Sequence, residues 1–255
     1  MEVQTRPEPP ESRPASPEPA RPQVSPWRKF LASPASWIIA GLNVAVFLWV
    51  ESRGRTTDGA TLLRFGALER YHVWAGEYWR LVTSMFLHIG PVHLLWNVYA
   101  MPSWCAVVER RVGTWRFVLA YFVAGIGASA TSLLGHHVLA AGASGAGFGM
   151  IGVTLVLAFV GLGSWKAFLA DAGVKYSLVM TAIWVALGFT VMPMDNFAHL
   201  GGLVFGLAIG WLLAPRSAPR RVVIALWIAF AVLFTGTVVA ACYPRDKDFK
   251  IETKP

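Results

Sequence analysis

Three groups of polar residues sit within otherwise apolar stretches of this chain, and their types suit acyl transfer. The first is Gly142-Ala143-Ser144-Gly145. Flanking glycines leave the serine hydroxyl sterically open and let another backbone approach it. If a helix starts here, the first N–H groups lack intrahelical partners and can receive a negatively charged oxygen. The second group is His199, in Asn196-Phe197-Ala198-His199-Leu200-Gly201-Gly202. An imidazole in reach of a hydroxyl is what makes that hydroxyl a nucleophile. The third is His88, His93 and Asn97, of which His93 and Asn97 are four apart and therefore on one helix face. Asn97 offers an uncharged amide donor, which suits a developing oxyanion.

Each group also has a plainer reading. Glycine and serine are common packing residues between membrane helices, and a histidine or asparagine there can simply hydrogen-bond a neighbour. Paired histidines four apart on a helix are zinc-ligand spacing. Here the second position is Asn97, and no glutamate follows His93 as a metalloprotease helix requires. No metal or other cofactor is therefore expected. Nor is an acidic third member evident for Ser144 and His199. Asp195 precedes His199 by four residues and falls at a loop edge. A carboxylate buried in lipid is costly, so a serine–histidine pair without an aspartate is the economical form.

The elements that must position these groups follow from composition. Hydrophobic residues make up 55% of the 255 and charged residues only 14%, against about 25% charged in soluble domains. The apolar residues come in long blocks, near 31–50, 91–108, 115–135, 141–162, 174–192, 196–214 and 222–242. Several reach the roughly 20 residues needed to cross a bilayer. Unpaired backbone groups are prohibitive there, so these blocks are predicted to be helices of an integral membrane protein. Only Pro193-Met194-Asp195 separates the fifth block from the sixth.

Topology then bears on the chemistry. The fourth and sixth spans are both even-numbered and run in the same direction. Ser144 and His199 lie near the starts of these two spans, so at about 1.5 Å per residue they sit at matching shallow depth. The fourth span carries Gly145, Gly149 and Gly152, and the sixth carries Gly202, Gly206 and Gly210. Small residues at this spacing let two backbones pack closely. His199 precedes Gly202 by three and so projects along the same face. Two parallel glycine-faced helices can thus bring hydroxyl and imidazole within hydrogen-bond reach.

The remaining segments are less informative. Eight of the sixteen prolines fall within Pro7–Pro26, and residues 1–29 lack the apolar surface to offset ordering, so a disordered tail is expected. This tail has no short apolar core followed by a cleavage site, so it does not read as a cleaved signal peptide. The stretch from Glu51 to Arg80 is too polar to span, and its second half mixes aromatics with charge, as interfacial segments do. The short outer loops around Gly135–Ala140 and Pro193–Asp195 hold no Lys or Arg. That asymmetry puts the N-terminus inside and the C-terminus outside. The net charge of +8 is scattered between apolar blocks, so nucleic-acid binding is not expected. Cys105 and Cys242 lie in or beside apolar spans with no metal-like spacing.

In this order and spacing, the residues resemble the rhomboid family of intramembrane proteases, over roughly 31–214. The family's Trp-Arg pair is matched by Trp79-Arg80, and its second-span histidine, histidine and asparagine by His88, His93 and Asn97. Its Gly-x-Ser-Gly is Gly142 to Gly145, and its sixth-span histidine with following glycines is His199, Gly202 and Gly206. The resemblance implies an all-α polytopic fold with a six-helix core at 30–214 and a water-filled site open to the outer face. It implies Ser144 and His199 as the catalytic pair, with His93, Asn97 and the Ser144 backbone N–H as the oxyanion hole. Phe148 takes the place of an aromatic, often tyrosine, that stacks on the catalytic histidine. Residues 215–255 then add one extra transmembrane helix and a short outer tail.

The activity so implied is intramembrane serine endopeptidase, acting on single-span proteins in a lipid bilayer. A bacterial-type inner membrane suits the compact loops. Two other classes compete. A non-proteolytic rhomboid-like protein that binds transmembrane segments would typically lack the serine or histidine. A transporter or channel would line its spans with ionisable groups near mid-bilayer.

Overall fold

The computed structural model describes residues 28, 32–135, 139–190, 194–214 and 220–244. The expected disordered tail at 1–29 lies outside these residues except for Arg28, as do Pro193 and most of the tail after the last span. The described residues are helical, with one isolated antiparallel bridge between Leu68 and Ala140. Helix α1 spans Pro34–Glu51, followed by the short helices α2 (Gly59–Arg64), α3 (Arg70–Trp74) and α4 (Arg80–Thr83). Helices α5 (Gly90–Val112), α6 (Thr114–Leu134) and α7 (Ser144–Leu162) come next, then short α8 (Trp165–Ala170). The chain continues through α9 (Ala172–Thr190), α10 (Asn196–Leu213) and α11 (Arg220–Cys242).

Six of these helices, α1, α6, α7, α9, α10 and α11, are long and apolar enough to cross a membrane. The chain is a multi-pass integral membrane protein. Helix α5 passes only together with the preceding segment Arg80–Phe86, from which it is bent by 88°. The reason lies in its own residues. It carries His93 and Asn97 near one end, Glu109, Arg110 and Arg111 near the other, and Pro102 inside. The least apolar span is thus the one that supplies two of the candidate site residues.

Helix α7 is central, packed among α5, α6 and α10, and its most extensive partner is α10. The glycines explain this. A Cβ added at Gly202 would collide with the Gly145 carbonyl, and one added at Gly206 with the Gly149 carbonyl. At Gly152 it would lie 2.6 Å from the Leu203 carbonyl oxygen. The residue numbers rise together on both helices, so they run parallel with backbone against backbone. Helix α1 is held at its start by the buried Glu109 carboxylate of α5. That carboxylate accepts from Ala35 N at 3.0 Å, Ser36 N at 2.8 Å and Ser36 Oγ at 2.7 Å. It also accepts from Thr114 Oγ1 at 2.9 Å, joining α1, α5 and α6 at the end opposite Ser144. The first-turn amides of a helix lack internal partners, so one carboxylate satisfies two of them.

Helix α11 packs mainly on α6. Phe230 and Phe234 meet Phe205 of α10 edge-on, and Trp74 Nε1 donates to the Ala241 carbonyl at 3.0 Å.

Candidate active site

Ser144 is the first residue of α7, and His199 is the fourth of α10. The close seam brings them together: Ser144 Oγ lies 2.9 Å from His199 Nε2. The Phe148 ring, one turn after the serine, stacks on the imidazole with centroids 4.3 Å apart and planes 7° apart. His199 is only 4% exposed, so seam and ring together leave the imidazole little freedom. Its backbone N–H donates to the Asp195 carbonyl at 3.1 Å, and Asp195 itself caps α10 by accepting from Ala198 N at 2.9 Å.

His93 approaches from α5. A Cβ at Gly142 would lie 2.8 Å from His93 Cε1 and 2.9 Å from Nε2, and Gly142 has φ +141, so only glycine fits there without strain. His93 Nδ1 accepts the Ile89 N–H at 3.3 Å. An imidazole nitrogen that accepts leaves the proton on the other nitrogen, so this bond assigns a donating Nε2–H on the side facing Gly142. Asn97 Nδ2 donates to the His93 carbonyl at 3.0 Å, which engages one of its two amide hydrogens and leaves the other. His88 is buried behind these residues, its ring edge-on to His93 with centroids 5.2 Å apart.

The segment leading into Ser144 is held by the loop between α1 and α5. Arg80 is buried, and its Nη1 donates to the carbonyls of Leu63 at 2.7 Å and Ala67 at 2.9 Å. Its Nε donates to Glu77 Oε2 at 2.8 Å, and its guanidinium lies 4.7 Å from the ring centroid of the exposed Trp79. Next to Ala67, Leu68 exchanges two 2.8 Å backbone bonds with Ala140, and Gly142 N donates to the Ser84 carbonyl at 2.9 Å. Trp79 and Arg80 therefore sit apart from the serine and bear on it through this backbone chain. In the same loop Glu69 caps α3. Burial alone would raise its carboxyl, but hydrogen bonds from the His72 side chain and the Tyr71 and His72 backbone outweigh that and hold it below the ordinary carboxylate value.

Ser144, His199, His93, Asn97, Phe148 and Asp195 all line one cavity of about 360 Å³. Its floor and walls are otherwise apolar, with Trp96 and Trp104 from α5 and Trp184 from α9. Trp96 and Trp184 meet edge-on with centroids 5.2 Å apart, where α5 and α9 close over the cavity. Among the described residues no cluster of three potential metal ligands occurs. A hydroxyl beside an imidazole, in a cavity with amide and imidazole donors, is equipped for acyl transfer. One residue has a place here that spacing did not foretell: Asp195, anchored by Ser132 Oγ of α6. A residue of α10's first turn preceded by Met-Asp carries the usual N-cap signature, which was the available sign for Asp195.

A family model described as a rhomboid domain matches residues 75–216. The Rhomboid protease GluP of Bacillus subtilis is 38% identical over 203 residues, covering 78% of this chain and 39% of that protein. RHOMBOID-like protein 6, mitochondrial, of Arabidopsis thaliana is 36% identical over 160 residues, 61% of this chain and 50% of the relative. RHOMBOID-like protein 4 of the same plant is 34% identical over 199 residues, 70% of this chain and 50% of the relative. The chain thus spans half or less of the length of these relatives.

Proposed function

We propose an activity from one premise: the chain belongs to the rhomboid family. The activity is that of an intramembrane serine endopeptidase, cutting single-span membrane proteins in or near their transmembrane segments. The observation that carries this reading is the 2.9 Å approach of Ser144 Oγ to His199 Nε2 in the lining of a mostly apolar cavity.

In this reading Ser144 Oγ attacks a peptide carbonyl while His199 Nε2 takes the hydroxyl proton. The carbonyl oxygen gains the negative charge. It is met by the Ser144 backbone N–H, the Nε2–H of His93 and the free amide hydrogen of Asn97. As the tetrahedral centre collapses, the C–N bond breaks and the imidazolium gives its proton to the leaving nitrogen. Water then attacks the acyl-serine, with His199 taking its proton and returning it to Ser144 Oγ. Charge is absent from the resting pair and appears only as imidazolium and oxyanion, which suits a buried site where permanent charge is costly.

A helical peptide hides its carbonyls in hydrogen bonds four residues apart, so the substrate has to unwind locally before attack. The cavity bears on this. Its wall between α5 and α9 is an edge-on contact of two side chains, Trp96 and Trp184. The orientation proposed sets the Ser144 end at the outer face of a bacterial-type inner membrane. Arg110, Arg111, Arg116, Lys166 and Lys175 all lie toward the opposite end, as cytoplasmic loops require.

Cleavage of a single-span reporter, with the chain in membranes, tests the reading. Wild type is expected to cut, and Ser144→Ala and His199→Ala to leave no cleavage above background. A wild type that binds the reporter without cutting it would favour the non-proteolytic alternative.

A further inference from the structure

Among the described residues, Asp195 is the one carboxylate lining the cavity. It precedes His199 by four residues, so both lie on the same face of the α10 start, joined by the His199 N–H to Asp195 carbonyl bond of 3.1 Å. Its side chain is not free to swing away. Oδ1 accepts Ala198 N at 2.9 Å, and Oδ2 accepts Ser132 Oγ from the neighbouring α6. Among the described residues, α7 presents the Ser144 hydroxyl and the Phe148 ring to His199, α5 lines the same cavity with His93, and α6 reaches Asp195 through Ser132. Among the described residues of α9 that line this cavity, Trp184 carries no charge.

Resting on the protease reading above, we infer that Asp195 is a positioning residue whose negative charge stabilises the His199 imidazolium during proton transfer. It does so through space from the helix cap, without a hydrogen bond to the ring. This differs from a buried triad aspartate, whose bond to the imidazole fixes the tautomer. The geometry suits the membrane setting. A carboxylate at the helix start satisfies an orphan amide and sits at the wetter end of the span. Its field still reaches the imidazole one turn below. Two roles are thereby separable: the cap needs an acceptor oxygen, while the electrostatic role needs a charge.

That separation defines the test. Asn and Ser cap helices about as well as Asp but carry no charge. Histidine-ring NMR titration of the full chain in lipid nanodiscs, with His199→Gln to assign the signal, reads the imidazole directly. Asp195→Asn and Asp195→Ser are expected to move the His199 midpoint to lower pH by about one unit. Their thermal midpoints stay near wild type. The acid limb of the kcat/KM profile of reporter cleavage should shift by the same amount, with kcat about tenfold lower and KM unchanged. Asp195→Ala should show the same shift together with a lowered thermal midpoint. A His199 signal that titrates at the wild-type pH in both neutral-cap variants overturns the inference. The titration reads out whether or not the reporter is cut. Failure of cleavage by wild type therefore counts against the protease reading, and an unmoved midpoint counts against Asp195.

Discussion

The seam between α7 and α10 and the wall between α5 and α9 border the same cavity but are built in opposite ways. At the seam, glycines bring two backbones into contact, and both helices are buried there. At the wall, α9 buries only Val174 and Ser177, and its closure over the cavity is an edge-on pair of large side chains, Trp96 and Trp184. A backbone contact cannot yield without moving a whole helix, whereas a side-chain contact opens with a rotamer change. The contrast assigns rigidity to the side that holds Ser144 to His199, and compliance to the side closed by α9.

The largest effect expected from breaking this contrast is at the seam. A methyl at Gly206 would collide with the Gly149 carbonyl, so Gly206→Ala forces the helices apart. A cost of about 3 kcal/mol is expected, at the upper end for overpacking because the obstacle is backbone. Thermal denaturation should register it, and reporter cleavage should fall by about two orders of magnitude, because displaced reacting groups lose their orientation. Next in size is Phe148→Ala, which removes the ring stacked on His199. Cleavage is expected to drop about tenfold, matching an aromatic contact worth about 0.5–1.5 kcal/mol, while Phe148→Tyr keeps the ring face and near wild-type rates. At the wall the sign differs. Trp184→Ala should leave cleavage equal to wild type or a few-fold faster, with only a small fall in thermal midpoint. A hundredfold loss there would erase the distinction between the two regions. The smallest effect is a control on the glycine reasoning. Gly236→Ala in α11 meets nothing within 4 Å, so stability should hold or rise slightly through helix propensity of up to about 1 kcal/mol.

Much of the fold was legible because bilayer helices announce themselves as long apolar runs. The blocks near 115–135, 174–192 and 196–214 differ from α6, α9 and α10 by at most two residues at either end. The parallel pairing of α7 with α10 followed from counting crossings, and the glycine spacing named the contact faces. Helix α5 was harder to read. The block at 91–108 stopped short of Val112, because Glu109, Arg110 and Arg111 break the apolar run although the helix continues. Its bend after Phe86 was also not evident from composition. Least legible were the bonds that join distant segments. Arg80 reaching the carbonyls of Leu63 and Ala67, Ser132 holding Asp195, and Glu109 capping α1 all depend on side chains meeting backbone far along the chain. Such bonds have no period, and their partners are backbone groups that every residue offers. Asp195 is the instructive case: its place at the loop edge is what spacing suggested, but its anchoring on α6 is what fixes its carboxylate beside the cavity.

Labelling with a fluorophosphonate tests the central claim most directly, since it needs no substrate and reports only a nucleophilic serine. With the wild-type chain in membranes, covalent modification located by mass spectrometry is expected at Ser144, and is expected to vanish in His199→Ala. A wild type left unlabelled under conditions that modify a control serine hydrolase, or labelling of Ser144 that persists undiminished without His199, would contradict the account.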